Sequence, residues 1–141
     1  MLRLAAFAVT SALAAAAAGP LPPLPLGRLL ASPDRLTVAV SDTGNRRIDG
    51  EYRLECRPVG GDHPEAKEAC DRLEQLAREG KDPFAAEPKR RMCTFQDGGP
   101  AKARITGTWH GRKVDSTFHR KNGCDIARWN DLEPVLPSAR S

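Results

Sequence analysis

Hydrophobic and polar positions alternate in two stretches early in the central part of the chain. In "RLTVAVSD" Leu36, Val38 and Val40 share one face, and in "GEYRLECRP" Tyr52, Leu54 and Cys56 do the same. A period of two puts such residues on one side of a pleated strand, so both stretches are predicted strands. Between them "TGNRRIDG" carries the glycine, asparagine and aspartate of a turn. The period then lengthens. In "GGDHPEAKEACDRLEQLAREG" the apolar set Ala66, Ala69, Cys70, Leu73, Leu76 and Ala77 recurs at helical spacing. Pro64 suits a first turn, Glu65 and Glu68 favour the positive end, and Gly80 can stop the helix.

A loop with two prolines, "KDPFAAEPKRR", follows. Alternation returns in "AKARITGTW", with Ala103, Ile105 and Trp109 inward, and in "RKVDSTF", with Val114 and Phe118 inward. The intervening "HG" makes a tight turn, so the two form a hairpin. "NGCDIARWNDLEPV" ends the pattern, with "DIARW" as a helical turn. The order strand, strand, helix, loop, strand, strand predicts an α+β domain, an antiparallel sheet with helical cover.

The first residues break this pattern. Residues 1–18 hold Arg3, then an alanine-rich apolar run ending in small residues, the layout of a cleaved signal peptide. An uncleaved membrane anchor fits less well, because Pro20 and the prolines after it cut the run short. Residues 19–34 are proline-rich and lack an amphipathic period, which predicts an extended arm. The folded domain is therefore expected over 35–141, in a secreted, extracellular protein with no membrane contact after cleavage.

Export changes the meaning of the four cysteines, Cys56, Cys70, Cys93 and Cys124. In an oxidising compartment an even set reads as bridges, and a core this small gains from them. Three pairings are possible, and the sequence alone does not choose among them. Sequential pairing is preferred; each bridge would then contribute about 3–4 kcal/mol on a chain-entropy estimate. None of the spacings forms the close pair of a zinc knuckle, so neither metal nor cofactor is expected.

Catalytic constellations are missing. There is no glycine-flanked serine elbow, phosphate-binding glycine loop or paired-histidine helix. His63 reads as part of the helix start, His110 as a solvated turn residue and His119 as an exposed strand end, so no base is oriented toward a nucleophile. An enzyme is not expected. Net charge is +4, or +3 once Arg3 is removed, with the strongest basic cluster at Lys89 to Arg91. That admits a polyanion binder, but only 5% of residues are aromatic, a poor stacking surface, so no nucleic-acid partner is expected.

The positive signal is "MCTFQDGG". A serine protease binds an extended strand and buries one side chain in its primary pocket. A substrate-like inhibitor needs an anchor near the scissile bond, a side chain for that pocket and a braced backbone. Cys93 offers the anchor, Phe95 the side chain and a bridge from Cys93 the brace, while Thr94 can add a local side-chain bond.

The motifs "GGDHPEAKEAC", "DPFAAEPKRRMCTFQDGGPAKARITGTWHGRKVDSTFHR" and "NGCDIARW" together resemble the Streptomyces subtilisin inhibitor family, from Leu36 to about Val135. The resemblance implies a five-stranded antiparallel sheet with two helices, the bridges Cys56–Cys70 and Cys93–Cys124, and usually a homodimer. It implies a standard-mechanism inhibitor of secreted serine proteases. Carried over by position, Phe95 takes the primary-specificity place and Gln96 follows the reactive bond. Met92, Cys93, Thr94 and Asp97 complete the reactive loop, and Asn122 matches a residue that braces it. An aromatic at position 95 points to subtilisin-like and chymotrypsin-like partners. The chain departs from the family's pattern at Thr94, often proline, and at Asp97, commonly hydrophobic. Gly98 and Gly99 are expected to loosen the loop. A secreted module of this fold without inhibitory activity is the alternative.

Overall fold

The computed structural model describes residues 19–20, 33–89 and 91–139. The chain divides into two units, Met1–Leu30 and Ala31–Ser141. The expected signal stretch and most of the expected arm lie outside the described residues. Among the described residues, no helix is long and apolar enough to cross a membrane.

Five antiparallel strands form one sheet in the order β3-β2-β1-β4-β5. They are β1 (Asp34–Ser41), β2 (Gly50–Cys56), β3 (Gly60–Gly61), β4 (Lys102–Trp109) and β5 (Arg112–Phe118). The alternating apolar sets set the register: Val38 of β1 lies opposite Tyr52 of β2 and Ile105 of β4. Leu36, Val38, Val40, Leu54, Ile105, Val114 and Phe118 all turn to the buried face. Gly107 lets β4 lie close against β1. Its φ is +129°, and a Cβ there would come 2.0 Å from the Arg35 carbonyl oxygen.

Two helices cover that face. Helix α1 (Ala66–Arg78) buries Ala69, Cys70, Leu73 and Leu76. It ends in a Schellman arrangement, with Gly80 at φ +70°, its N–H on the Ala77 carbonyl, and the Lys81 N–H on the Leu76 carbonyl. The Cys56–Cys70 bridge ties it to the end of β2. Helix α2 (Gly123–Asp131) contributes the fully buried Trp129, followed by Leu132, Val135 and Leu136. The Trp129 Nε1–H donates to the Pro137 carbonyl at 2.8 Å, so the buried indole keeps its hydrogen bond.

Two polar groups secure the frame. The buried Asp34 carboxylate accepts from Arg57 and from the His110 backbone N–H at 2.8 Å. Glu74 of α1 meets His110 Nε2 at 3.0 Å and Arg57 Nε at 3.7 Å. Asp34, Glu74 and His110 could ligate a cation by type, but the Arg57 guanidinium already serves both carboxylates. The buried His63 accepts from the Glu65 N–H at Nδ1, so its Nε2 carries the proton and donates to the Val135 carbonyl at 2.9 Å.

Several details differ from the sequence reading. Strand β1 starts at Asp34, one residue inside the expected arm, because that carboxylate is bonded within the sheet's end. Strand β3 had no signal, being two glycines held by the register of Leu54 and Glu55. Helix α2 has nine residues rather than one turn. His110 is paired with Glu74 and stacked on Trp109, with ring centroids 4.3 Å apart, rather than simply solvated. His119 is half-buried, with its Nδ1 out of solvent, rather than exposed.

Trp129→Ala is expected to destabilise the fold by about 3–5 kcal/mol, read as a shift of the denaturant midpoint with an unchanged slope.

Candidate functional site

A ten-residue stretch without regular structure, 91–100, leads into β4. Within it Met92 and Phe95 are fully exposed, at 100% and 105% of their reference areas. Cys93 between them is bridged to Cys124, with Cα atoms 5.3 Å apart. Large apolar side chains normally leave water on folding. Here two stand clear of the surface beside a covalent anchor.

What fixes the backbone under them is the start of α2. Asn122 is extended and caps the helix, its Oδ1 accepting from the Asp125 N–H at 2.9 Å. Asp125 Oδ2 in turn accepts from the Lys121 N–H at 3.3 Å. The first N–H groups of a helix have no partner inside it. One of them, at Gly123, donates to the Thr94 carbonyl at 3.1 Å. Position 123 has no room for a side chain, since a Cβ would sit 2.0 Å from Thr94 Oγ1.

The other side of the crest is held by the residue two before that cap. The Gly98 N–H donates to the Arg120 carbonyl at 2.7 Å, and Arg120 Nε donates to the Gly98 carbonyl at 3.3 Å. A Cβ on Gly98 would meet Ile126 Cγ1 at 2.8 Å and the Arg120 Cβ and carbonyl oxygen at 2.9 Å. Asp97 Oδ1 accepts from the Gly99 N–H at 2.9 Å, an Asx turn. Residues 120–124 thus hold Cys93, Thr94 and Gly98, and the peptide between Phe95 and Gln96 spans the interval.

The approach to the loop is fastened as well. Ser116 Oγ donates to the Phe84 carbonyl at 2.7 Å, and Arg112 reaches Asp82 at 3.1 Å. The Arg128 guanidinium lies 4.0 Å over the Phe118 ring and 3.7 Å from Glu87, and burial pushes its pKa below the ordinary arginine value. Arg91 is 4.0 Å from Glu87, so part of the basic cluster is paired, while Arg90 lies outside the described residues. A cavity of about 390 Å³ sits under this approach, lined by Leu76, Pro83, Pro88 and Ala127 among others.

The sequence-predicted residues Met92, Cys93, Thr94, Phe95, Gln96 and Asp97 fall on this one loop, and Asn122 and Cys124 lie at the helix that supports it. Asn122 acts on the helix, and the bond to the loop comes from its neighbour. The expected loosening at Gly98 and Gly99 is corrected. Gly98 is pinned by two hydrogen bonds in a space that excludes a side chain, and Gly99 is tied to Asp97. Arg120 and Gly123 were not singled out in the sequence, although the glycine–cysteine pair before "DIARW" marked the spot.

A family model described as subtilisin inhibitor-like matches residues 31–122. Subtilisin inhibitor-like protein 1 of Streptomyces cacaoi is 35% identical over 99 residues, covering 64% of this chain and 86% of that protein. Protease inhibitor SIL-V2 of Streptomyces orinoci is 32% identical over 91 residues, covering 63% and 81%. Among solved structures, Streptomyces caespitosus sermetstatin in complex with Bacillus licheniformis subtilisin aligns at a TM-score of 0.48 and 22% identity, over 76% of this chain and 100% of that one.

Gly123→Ala is expected to push Thr94 off the helix start. Amide exchange at position 123 should then run at least about tenfold faster than in the parent protein.

Proposed function

The chain belongs to the subtilisin inhibitor-like family, and on that premise we propose that it is a secreted inhibitor of serine proteases acting through residues 92–97. The observation that carries this is Phe95, fully exposed two residues after the bridged Cys93, with its backbone held on both sides. A flexible peptide docking into a protease loses its loop entropy on binding, whereas a loop already fixed in extended form loses little. Phe95 enters the primary pocket, and its carbonyl is presented to the protease's serine. Gln96 and Asp97 lie beyond the reactive bond.

The aromatic ring sets the range of targets. It suits the apolar pocket of chymotrypsin-like enzymes and the broad pocket of subtilisins, and it is mismatched to a pocket with a carboxylate at its base. The protein is not an enzyme in this reading and needs no cofactor. By the family resemblance it works outside the cell as a homodimer. A binding module of the same fold that does not inhibit is separated from this reading by titrating subtilisin with the full chain.

Phe95→Ala should weaken inhibition of subtilisin by roughly 30–150-fold, the equivalent of about 2–3 kcal/mol of buried ring. Inhibition constants check this, and equal potency would sink the assignment of Phe95. Phe95→Lys should move preference toward trypsin. With catalytic subtilisin, mass spectrometry should locate a single cut between Phe95 and Gln96; full protease activity at micromolar excess of the chain would reject the whole reading.

A further inference from the structure

Arg120 is only 4% exposed, yet among the described residues no carboxylate lies within ion-pair distance of it. A guanidinium taken out of water without a counter-charge is strongly disfavoured unless its donors are satisfied. Here two of them, on Nε and Nη1, meet neutral acceptors. Nε donates to the Gly98 carbonyl at 3.3 Å, Nη1 donates to Asn130 Oδ1 at 3.0 Å, and the guanidinium lies 5.6 Å from the centre of the Trp129 ring. The carbonyl of the same residue receives the Gly98 N–H at 2.7 Å. A buried charge is therefore committed to one loop residue, three positions past Phe95, and grips both of its backbone polar groups.

We propose that Arg120 is a positioning residue that keeps the departing side of the reactive bond in place, so that the cut bond is remade rather than hydrolysed. This rests on the inhibitory reading above. When the protease's serine oxygen attacks the Phe95 carbonyl carbon, the bond to the Gln96 nitrogen breaks. The electron pair stays on that nitrogen, which takes the serine's proton by way of the protease's histidine. Two outcomes then compete. If the new amine moves off, water attacks the ester, freeing the serine and leaving Phe95 as a carboxylate. If the amine stays, its lone pair attacks the ester carbon, the carbon–oxygen bond breaks and the proton returns to the serine oxygen. A reactant held in place behaves as if at very high concentration. Gln96 is two residues from the gripped Gly98, and the Asp97–Gly99 turn stiffens the interval. The clamp through Arg120 therefore favours the return.

The test uses the full chain, Arg120→Met, and Gly98→Ala, which crowds the same contact from the loop side. Each is incubated with subtilisin, and the cut and intact forms are followed by mass spectrometry alongside residual protease activity. The wild type should reach one mixture of cut and intact forms from either starting form, and inhibition should persist. Both variants should still form the complex with subtilisin. They should then pass to the cut form at least about tenfold faster, with protease activity recovering. Variants that inhibit as durably as the wild type overturn the role of Arg120 alone. A wild type that never inhibits overturns the inhibitory reading and this inference with it. Slower association with an unchanged cut-to-intact ratio also overturns it, since that is the mark of a merely structural residue. Where Arg120→Met does not fold, Gly98→Ala decides, because its change lies within the loop.

Discussion

The exposed crest of the loop depends on one short support, the five residues that lead into α2. A backbone carrying two large apolar side chains into water gains nothing from its own burial, so its shape has to be imposed from outside. Residues 120–124 impose it in three ways: the Cys124 bridge, the Gly123 amide, and the two-way grip of Arg120 on Gly98. The bridge alone would leave rotation about one point. The amide and the grip fix the chain on either side of the interval between Thr94 and Gly98.

Such a support works only if it is itself immobile, and the core provides that. Trp129, Leu132, Val135 and Leu136 sink α2 and the segment after it into the apolar face of the sheet. Asn122 fixes where the helix begins, and so decides which amide is left over for the loop. At the far end of the sheet, Asp34 gathers Arg57 and the His110 turn, so β1 and the hairpin cannot slide apart without uncovering a buried carboxylate. Burial, helix capping and loop shape are thus successive links of one chain of causes.

Period and turn chemistry made most of this frame legible. The alternation in β1, β2, β4 and β5 and the helical spacing of α1 point to the same faces that are buried. Strand β3 escaped because two glycines carry no pattern and pair only through their neighbours' register. The loop was legible as residue types, a cysteine followed by an exposed aromatic, but its support was not. Gly98 looked like freedom because sequence shows a missing side chain and not the Ile126 and Arg120 atoms that fill its place. Arg120 sat in a basic run, "HRKN", that reads as solvated surface, and only three-dimensional burial separates it from its neighbours.

The place of the loop in the topology has one more consequence. A break after Phe95 would leave β1, β2, β3 and α1 on one piece and β4, β5 and α2 on the other. The central pairing of the sheet, β1 with β4, runs across that division over seven residue pairs, and Cys93 and Cys124 fall on opposite pieces. The nicked molecule would therefore be a fragment-complemented protein, two half-sheets zipped along their middle and sewn by a single covalent stitch. Its identity as one molecule would rest on that stitch, and its shape on the seam.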